Sequence, residues 1–448
     1  MRTIRSFIIV ACGCIAVTAC STLSKYKPVE EVSPTLYGDV AGADTEQSIA
    51  NFSWQEVFTD PLLQNFIHTA LQNNLDLKIA QEHINQAQAQ LLGAKLAYIP
   101  TLSVTPYDEA VFSGSKLGTA KNNFDISISS TWQLNIFSLI NNQKSAQASV
   151  EQMKDYRQAV QSQVVASVAN TYYSLLMLDA QLVTAQGMQD DWRESVEVVI
   201  ALKEAGLADQ VAVSQYEANL NSINITVTNL LVQIKAAENA MNLLLAREPG
   251  GAVPRGNLID QQMPENIGAG VPALMLTLRP DVRAAQRDLE LAHYARRGAL
   301  LNFFPKLSIK GEGTILTPLV DVAASLAAPI LTAGKNRAAY NAAKSKQEET
   351  KLAFTQTLLA AGKEVNDAFL EYENCLKLKD EYVGRAMSLD QARKDTEYLM
   401  RNSLDKTYLD VLYANTNFLD AQLNAIANRT KMLQSVVTLY AALGGGAI

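Results

Sequence analysis

The alternation of apolar and polar residues predicts β-strands in two separate parts of the chain. Between Phe124 and Leu134, nearly every second residue is apolar and the residues between them are polar. This period of two is typical of a strand with one apolar and one polar face. A preceding strand begins near Leu102, and the same alternation returns after residue 306. The pattern therefore predicts two β-hairpins of two strands each, at about residues 101–135 and about 306–331.

Away from the strands, the spacing of apolar residues predicts long helices. Residues 141–204 contain no proline and a single glycine, and a helix of this length would measure roughly 95 Å. After a turn at residues 205–208, apolar residues recur in alternating steps of four and three over residues 216–244. This heptad spacing indicates coiled-coil packing. A long helix over about residues 335–400 and a final helix after a turn at residues 402–406 repeat the arrangement.

The two halves of the chain are related by an internal repeat. Residues 73–104 align with residues 278–309, so that Asp76 corresponds to Asp281 and Pro100 to Pro305. Each copy is an alanine-rich helix that stops at a proline and leads into a strand. A repeat of this length indicates a duplicated half and not a short solenoid unit. Since only the aspartate of the Arg279-Pro280-Asp281 triplet recurs in the first copy, we expect a structural role for it at the helix start.

The repeat and the loop composition divide the chain into six parts. The opening at Asp60-Pro61 suits the start of a helix, which we expect to break near Asn73-Asn74. A segment rich in glycine and proline follows the first helix pair. From the N-terminus, the parts are a signal peptide (1–19), an extended lipid-anchored tether (20–57), a first repeat (58–246), a linker (247–272), a second repeat (273–443) and a tail (444–448).

The N-terminus carries the pattern of an export signal. Two arginines precede an apolar stretch that is too short to cross a membrane as a helix. The tetrapeptide Val17-Thr18-Ala19-Cys20 resembles a bacterial lipobox, in which cleavage precedes a cysteine that then carries lipid. The resemblance implies a covalent lipid on Cys20, and we expect no other cofactor. A plain signal peptide with an incidental cysteine is the alternative interpretation.

The strands and the export signal together favour a membrane β-barrel. A barrel must close, because the edge of an open sheet cannot be satisfied in hydrocarbon. The smallest membrane barrels have about eight strands, so four strands from one chain require further copies of the chain. Closure alone permits two, three or four copies. A soluble four-stranded sheet packed on helices is the alternative.

Composition and charge exclude several other functions. The apolar fraction is 48%, and the formal net charge of -7 argues against a nucleic-acid partner. The three histidines, His68, His83 and His293, lie on predicted helices without a nucleophile or a set of metal ligands. We expect them to face solvent, as we expect of the Asp190-Asp191 pair. The sequence therefore predicts neither catalysis nor a metal site.

Six short motifs, taken in order, resemble the outer-membrane factors of the TolC/OprM type. The resemblance is to the lipoprotein, NodT-like branch that serves RND efflux pumps, and it covers nearly the whole chain after the signal. The motifs are Trp54…Phe58-Thr59-Asp60-Pro61, Leu278-Arg279-Pro280-Asp281, Phe304-Pro305-x-Leu307-Ser308, Pro329-Ile330-Leu331-x-x-Gly334-Lys335, Tyr408-Leu409-Asp410-Val411-Leu412 and Ala442-Leu443-Gly444.

The resemblance implies a mainly α fold with a membrane β-barrel. It also implies a homotrimer, in which a twelve-stranded barrel stands on a twelve-helix periplasmic tunnel. The protein would lie in the outer membrane of a diderm bacterium, contact its lipid, and work with a periplasmic adaptor and an inner-membrane RND transporter. It would conduct small molecules passively. An outer-membrane conduit for a type I (ABC) secretion system is the nearest alternative, and a lipid-anchored coiled-coil scaffold without a pore is an alternative of another class.

The same resemblance indicates candidate site residues around the two helix turns. The turns would form the periplasmic tip where the adaptor docks, and the closed aperture would lie just beyond the second turn. Leu409 matches the aperture leucine, and Tyr413 lies on the same helix face in place of the usual acid. Asp410 and Asp405 are the acidic aperture candidates. The candidates for adaptor docking are Gly206, Leu207, Ser403 and Leu404.

Overall fold

The structure is a computed structural model that describes most of the chain. The described residues are 26–29, 33, 36, 49, 52–110, 122–262, 279–314, 321–327, 334–402 and 407–445. Within them the regular elements are α1 (Trp54–Val57), α2 (Pro61–Asn73), α3 (Leu75–Leu96), β1 (Thr101–Ala110), β2 (Asn122–Leu134), α4 (Ile136–Glu204), α5 (Gln210–Leu244), a 3₁₀ turn (Leu258–Asp260), α6 (Pro280–Leu301), β3 (Lys306–Thr314), β4 (Asp321–Ala327), α7 (Lys335–Asn402) and α8 (Tyr408–Ala442).

The order of elements confirms the repeated plan predicted from the sequence. In each half, a helix leads into a hairpin, and the hairpin is followed by one long and one shorter helix. The long helices α4 and α7 have 69 and 68 residues, and the shorter helices α5 and α8 have 35 residues each. Helix α4 begins five residues earlier than predicted, because Asn135 caps it by accepting a hydrogen bond from the Ser138 amide (3.2 Å).

The two predicted hairpins form one antiparallel sheet. The strand order is β1-β2-β3-β4, and the central β2–β3 pair joins the hairpins, with Trp132 opposite Ile309. On β1, the apolar side chains of Leu102 and Val104 are exposed. Within the described residues, β1 and β4 each pair along one side only. A single copy therefore leaves apolar side chains and two strand edges of this sheet uncovered.

The first helices begin where the sequence predicts. Asp60 caps α2 by accepting hydrogen bonds from the amides of Leu62 (2.8 Å) and Leu63 (3.4 Å), and Pro61 occupies the first helical position. The predicted break at Asn73-Asn74 is also present. Asn74 separates α2 from α3 and caps α3 through its side-chain oxygen, which accepts from the Asp76 amide (2.9 Å). These caps satisfy backbone amides that a helix leaves without an internal partner.

The chain divides into two compact units, and each contains segments of both repeats. The first comprises Met1–Glu30, Glu82–Asp155 and Arg283–Thr357, and it includes the sheet. Its core contains a cluster of Ala87, Leu91 and Val150. The second comprises Glu31–Gln81, Tyr156–Val282 and Leu358–Ile448. Its largest fully buried side chains include Phe58, Leu63, Ile67, Tyr172, Leu175, Leu176, Met241 and Leu245.

The heptad predicted in α5 corresponds to the buried face of that helix. The buried positions are spaced by three, four or seven residues, as expected when one face packs against neighbouring helices. Among the described residues, no helix has the length and hydrophobicity needed to cross a lipid bilayer. The buried heptad residues of α5 are Tyr216, Ile223, Val227, Leu230, Ile234 and Met241.

The described part of the glycine- and proline-rich segment, residues 247–262, is packed against helices. Arg255 forms ion pairs with Asp179 of α4 and with Glu238 of α5, the latter at 2.8 Å. Burial raises the pKa of Glu238, but hydrogen bonds from Lys235 and Arg255 outweigh burial and lower it overall. Glu238 is therefore ionised and pairs with the positive charge of Arg255. These ion pairs hold this segment against the first long helix pair.

Candidate functional site

The first helix turn reverses the chain between α4 and α5 with a glycine in the left-handed region. Gly206 has φ of +75°. Its amide donates to the Lys203 carbonyl (2.9 Å), and the Leu207 amide donates to the Leu202 carbonyl (2.8 Å). These two bonds form a Schellman motif, whose left-handed position strongly favours glycine. Asp209 then caps α5 by accepting from the Ala212 amide (2.8 Å).

This first turn presents apolar side chains to solvent. Leu207 is 75% exposed and Val211 is 58% exposed. Gly206 has no heavy atom within 4 Å of the place a Cβ would occupy, so its surroundings are open. The structure thus places the predicted tip residues Gly206 and Leu207 side by side at an exposed turn.

Three of the predicted site residues at the second turn, Ser403, Leu404 and Asp405, lie outside the described residues, as does the lipidation candidate Cys20. Helix α7 ends at Asn402 and α8 begins at Tyr408. The roles of these four residues remain predictions.

Asp410 takes part in the cap of α8. Its Oδ2 accepts hydrogen bonds from the Thr407 amide (2.8 Å) and the Thr407 hydroxyl (2.9 Å). In return, the Asp410 amide donates to Thr407 Oγ1 (3.4 Å). This reciprocal arrangement is a capping box, which satisfies amides at the helix start. The Thr-x-x-Asp spacing in the sequence is the signal for this cap, a role of Asp410 that its prediction as an aperture acid did not include.

Leu409 and Tyr413 share one face of the first turns of α8. They are four residues apart, which places their side chains next to each other on the helix. Leu409 is 36% exposed and Tyr413 is 65% exposed in the single chain. The structure therefore brings together the two predicted aperture residues as an exposed apolar and aromatic pair.

The start of α8 is attached to the first helix pair. The Tyr216 hydroxyl donates to the Tyr408 carbonyl at 3.2 Å, which joins α5 to α8. The ring of Tyr216 also packs edge-on against Trp192 of α4, with centroids 5.5 Å apart. Burial, assisted by the charge of Glu397, raises the pKa of Tyr216 to about 12. The hydroxyl consequently keeps its proton and remains a donor at neutral pH.

An ion pair joins the long helices α4 and α7 near the same place. Arg393 lies 3.3 Å from Asp191 and 3.2 Å from Asp390. Its guanidinium carbon also lies 5.0 Å from the centre of the Phe418 ring, a distance at which a cation and an aromatic face attract each other. Burial raises the pKa of Asp191, and the positive charge of Arg393 opposes that effect. The side chains of Asp190 and Asp191 are 74% and 51% exposed, so the sequence interpretation of Asp190-Asp191 as a solvated pair holds, and Asp191 in addition pairs with Arg393.

Together these contacts enclose a cavity of about 80 Å³ in the second unit. The helices that line it are α4, α5, α7 and α8, and acidic, basic and aromatic side chains all contribute to the wall. Sequence reasoning missed the contacts around Arg393, because its partners lie on distant helices and no local pattern connects them. The charged and aromatic lining residues are Asp191, Glu194, Tyr216, Arg393, Glu397, Arg401 and Tyr408.

Arg279 of the Leu-Arg-Pro-Asp motif is a buried structural residue. Its side chain is 6% exposed and donates to the Ala442 carbonyl (2.5 Å) and to Glu364 (2.8 Å). It also forms a two-pronged pair with Asp281, at 2.6 and 3.0 Å. Asp281 Oδ1 accepts from the Val282 amide (2.9 Å) at the start of α6. The predicted structural role of the motif is confirmed, while the connection of Arg279 to α7 and α8 was not foreseen.

The histidines are only partly as predicted. His68 and His83 are exposed, whereas His293 is half-buried between the rings of Tyr26 and Tyr294, at 5.9 and 5.7 Å. Within the part of the chain that the structure describes, no group of three His, Cys, Asp or Glu side chains has the arrangement of a metal site. Cys375 is a buried free thiol, and burial raises its pKa.

The chain matches the sequence profile of a known family over both halves. The family is described as "Outer membrane efflux protein", and the matched residues are 66–247 and 271–445. This match covers more than half of the chain and omits most of the segment between the repeats.

Individual proteins are similar over almost the full length. The probable efflux pump outer membrane protein TtgC of Pseudomonas putida KT2440 is 26% identical over 92% of this chain and 88% of its own. The cation efflux system protein CusC of Escherichia coli K12 is 25% identical over 97% of this chain and 98% of its own. The solved structure of the outer-membrane channel OprN superposes with a TM-score of 0.82 at 20% identity, over 95% of this chain and 99% of that one.

These findings agree with the motifs and with the architecture. The OprN likeness shows that the two chains share a fold, and the family match extends through the helices and hairpins of both repeats. The chain therefore belongs to the outer membrane efflux protein family, of the TolC/OprM type, and its location is the outer membrane.

Proposed function

We propose that this protein is the outer-membrane channel of a tripartite RND-type efflux system and conducts small molecules passively. The observation that carries the proposal is the four-stranded sheet, which has exposed apolar side chains and two edges unpaired within the described residues. Such a sheet is complete only when further copies close it, and closed sheets are the β-structures that hydrocarbon accepts. The long helices would form the helical part of the channel.

The proposed assembly is a homotrimer with twelve strands and twelve long helices. Family resemblance supports the number three, since closure of the sheet also permits two or four copies. The name of TtgC describes a probable efflux pump outer membrane protein, and that of CusC a protein of a cation efflux system. A periplasmic adaptor and an inner-membrane RND transporter are the partners we propose by analogy, with the transporter supplying the energy.

We place the resting aperture at the start of α8. Leu409 and Tyr413 form the exposed pair that would narrow the pore in a trimer. Asp410 and Asp405 are the acidic candidates. The carboxylate of Asp410 already accepts two hydrogen bonds from Thr407 in the helix cap, so it is less available to line a pore than a carboxylate without such bonds. Gly206, Leu207, Ser403 and Leu404 are the candidates for adaptor docking.

The transported molecules are those that the pump selects. Of these two relatives, CusC has a name that states a cargo, cations, whereas TtgC is named for an efflux pump without a stated cargo. In this chain, no metal-binding group is present among the described residues. We propose that the channel conducts whichever small molecules the pump supplies.

Dye accumulation in cells tests the proposed function. Cells that lack the gene should accumulate a fluorescent efflux dye, and the wild-type gene should restore export. Cross-linking and purification from the same cells should recover an RND transporter with its adaptor. Recovery of an ABC exporter would instead support the type I secretion conduit. Unchanged dye accumulation combined with recovery of neither partner would contradict the proposal and favour a scaffold without a pore.

A further inference from the structure

The four helices that connect to the sheet all meet it at the same end. Helices α3 and α6 lead into β1 and β3, and β2 and β4 lead back into α4 and α7. The register of the sheet brings these four strand ends level with one another, and all of them belong to the first unit. The level pairs are Thr101 with Thr131, Leu134 with Leu307, and Lys306 with Ala327.

Hydrogen bonds join the neighbouring helices at this end of the sheet. Each bond connects one helix to the next in the order α3, α4, α6 and α7, so the four helix ends form one continuous layer beside the strands. The bonds run from the Tyr98 hydroxyl, just beyond α3, to Gln143 (3.1 Å), from the Asn141 side chain to the Tyr294 carbonyl (3.1 Å), and from Arg296 to the Tyr340 hydroxyl (3.0 Å).

This layer contains no acidic residue, although acidic residues outnumber basic ones in the whole chain, 45 to 38. Along each helix, the acidic residue nearest the sheet lies about three turns or more from the sheet end, which is roughly 16 Å of helix. The layer therefore has no carboxylate of its own to balance positive charge. The nearest acidic residues on α3, α4, α6 and α7 are Glu82, Glu151, Glu290 and Glu348.

Six basic residues with exposed side chains lie in or next to this layer and are here called the basic collar. On α4, the first basic residue that forms an ion pair is Lys154, and on α7 it is Lys346; both lie beyond the collar. Within the part of the chain that the structure describes, no collar residue takes part in an ion pair. The collar residues are Lys95, Lys144, Lys306, Lys335, Arg337 and Lys344.

Exposed apolar side chains share the layer with the basic collar. Leu92 near the end of α3 is 56% exposed, Ile136 at the start of α4 is 54% exposed, and Phe303 just beyond α6 is 46% exposed. Trp132 lies near the same end of β2, and its indole donates to the Tyr98 carbonyl at 3.2 Å. Basic side chains beside exposed apolar and aromatic ones are typical of protein surfaces at the headgroup level of a bilayer.

We propose that the basic collar binds the phosphate groups of anionic phospholipids at the membrane surface from which the helices emerge. This inference rests on the proposed function, in which the closed sheet spans the outer membrane. Lysine and arginine donate charge-assisted hydrogen bonds to phosphate oxygens, and their aliphatic stems cover apolar surface. Anionic lipid surfaces attract basic residues that lie close to them. The collar combines the charge and the apolar contacts that such lipids require.

A further copy of this chain does not supply the missing negative charge from the same helix ends. In a closed ring of identical copies, each copy has the same layer at the same height. A neighbour therefore brings its own basic collar and helix ends without acidic residues. The balancing anion comes from outside the chain, and a phospholipid is an anion that the exposed apolar side chains of the layer would also contact.

Tryptophan quenching in the full-length, reconstituted oligomer tests the collar. Trp132 is the reporter, because Trp54 and Trp192 are buried in the second unit and give a constant background. The measured quantity is the relative binding constant of brominated phosphatidylglycerol and brominated phosphatidylcholine near Trp132. We expect the wild type to prefer phosphatidylglycerol about threefold, and about 0.5 M salt to weaken the preference.

A collar variant and a matched control separate local charge from net charge. Lys95→Gln, Lys144→Gln and Lys335→Gln together should bring the binding constants of the two lipids close to equality. The control removes three exposed lysines from the same three helices, α3, α4 and α7, at positions far along each helix from the sheet. It should keep the wild-type preference. The control substitutions are Lys78→Gln, Lys203→Gln and Lys379→Gln.

A preference for phosphatidylglycerol that the collar variant loses and the control retains supports lipid binding by the collar. Equal binding of both lipids by the wild type, or an unchanged preference in the collar variant, would overturn it. Quenching by neither brominated lipid would contradict a membrane-spanning sheet, and therefore the proposed function as well. If the collar variant instead lowered the anion-to-cation permeability in planar bilayers with its lipid preference unchanged, the collar would face the pore, which also overturns lipid binding.

Discussion

Arg279 carries a positive charge in a place that solvent barely reaches. It pairs with two carboxylates and a backbone carbonyl, each of which belongs to a different part of the second unit. Removal of one partner from a buried ion pair leaves the other charges without compensation, which typically costs several kcal/mol. The arginine is therefore a stronger determinant of this fold than its position in an ordinary helix-start motif indicates.

We expect Arg279→Met to lower the free energy of unfolding by about 3 kcal/mol, at the lower end of the range for broken buried pairs because Asp281 and Glu364 are partly exposed. Thermal unfolding followed by circular dichroism measures the change. Arg283→Met, one helical turn away, provides a comparison of charge loss at a different position. An Arg279→Met protein as stable as wild type would show that the ion pairs of Arg279 make no net contribution to the free energy of unfolding.

The stability that Asp281 contributes should depend on pH. Burial raises the pKa of Asp281, but the hydrogen bonds and charge of Arg279 outweigh burial and lower it overall. A carboxyl group whose pKa is lower in the folded state contributes stability above its unfolded pKa of about 3.9, and loses it as the pH falls through the folded value. The melting temperatures of wild type and Asp281→Asn should therefore differ at pH 6 and converge toward pH 3. A constant difference across this range would contradict the sign.

The two glycines of α7 should respond differently to alanine. Gly384→Ala meets no neighbouring atom and should stabilise the protein by up to about 1 kcal/mol through helix propensity. Gly362→Ala gains the same propensity but must displace the Leu36 carbonyl, so its net stability should be lower than that of Gly384→Ala. Melting temperatures of the two purified variants provide the comparison. Equal gains at both positions would count against a tight fit at Gly362.

At the scale of elements, the sequence predicts what is local and periodic. The alternation from Phe124 to Leu134 predicted β2, and the heptad of α5 predicted its buried face, because one pattern of burial repeats along each element. The caps at Asp60 and Asn74 were also visible, since their partners lie within three residues.

Local and periodic sequence patterns do not predict contacts between distant elements. The pairing of Arg393 with Asp191 joins residues on two different long helices, and no local pattern in either helix indicates the partner. The partial burial of His293 was not predicted for the same reason, because its ring lies beside that of Tyr26, which is distant in sequence. The tip and aperture residues were indicated by resemblance to the family, and their spacing alone would not have singled them out.

The proposed aperture can be tested on the first turns of α8. Leu409→Ala combined with Tyr413→Ala removes two adjacent side chains from an exposed face, and we expect the resting current in planar bilayers to rise at least severalfold. Tyr398→Ala on α7 is a matched control, because Tyr398 and Tyr413 are both 65% exposed. A resting current that stays at the wild-type level in the double variant would exclude these residues from the aperture.

At the scale of the whole molecule, a single copy of the chain leaves apolar side chains exposed on its sheet and along its long helices. Its sheet leaves apolar side chains exposed, and exposed apolar side chains also follow one another along the long helix α7. Exposed apolar surface of this extent marks an interface with lipid or with other chains. Those along α7 include Leu352, Leu359, Leu370, Leu376, Val383 and Met387.

The proposed lipid attachment can be separated from assembly. Mass spectrometry of the native protein should find acyl chains on Cys20, and Cys20→Ser should lose them. The variant should still form the same oligomer, because the sheet and the helices carry the subunit contacts in our account. A native protein without acyl mass on Cys20 would refute the lipobox interpretation and leave the plain signal peptide.

The central claim is that copies of this chain form a passive channel, and single-channel recording of the purified oligomer in planar lipid bilayers tests it most directly. Native mass spectrometry of the same sample gives the number of chains. We predict particles of three chains that produce discrete current steps without any energy source, with larger steps in the Leu409→Ala, Tyr413→Ala variant. A protein of one chain, or an oligomer that gives no current steps even with both aperture residues removed, would contradict the account.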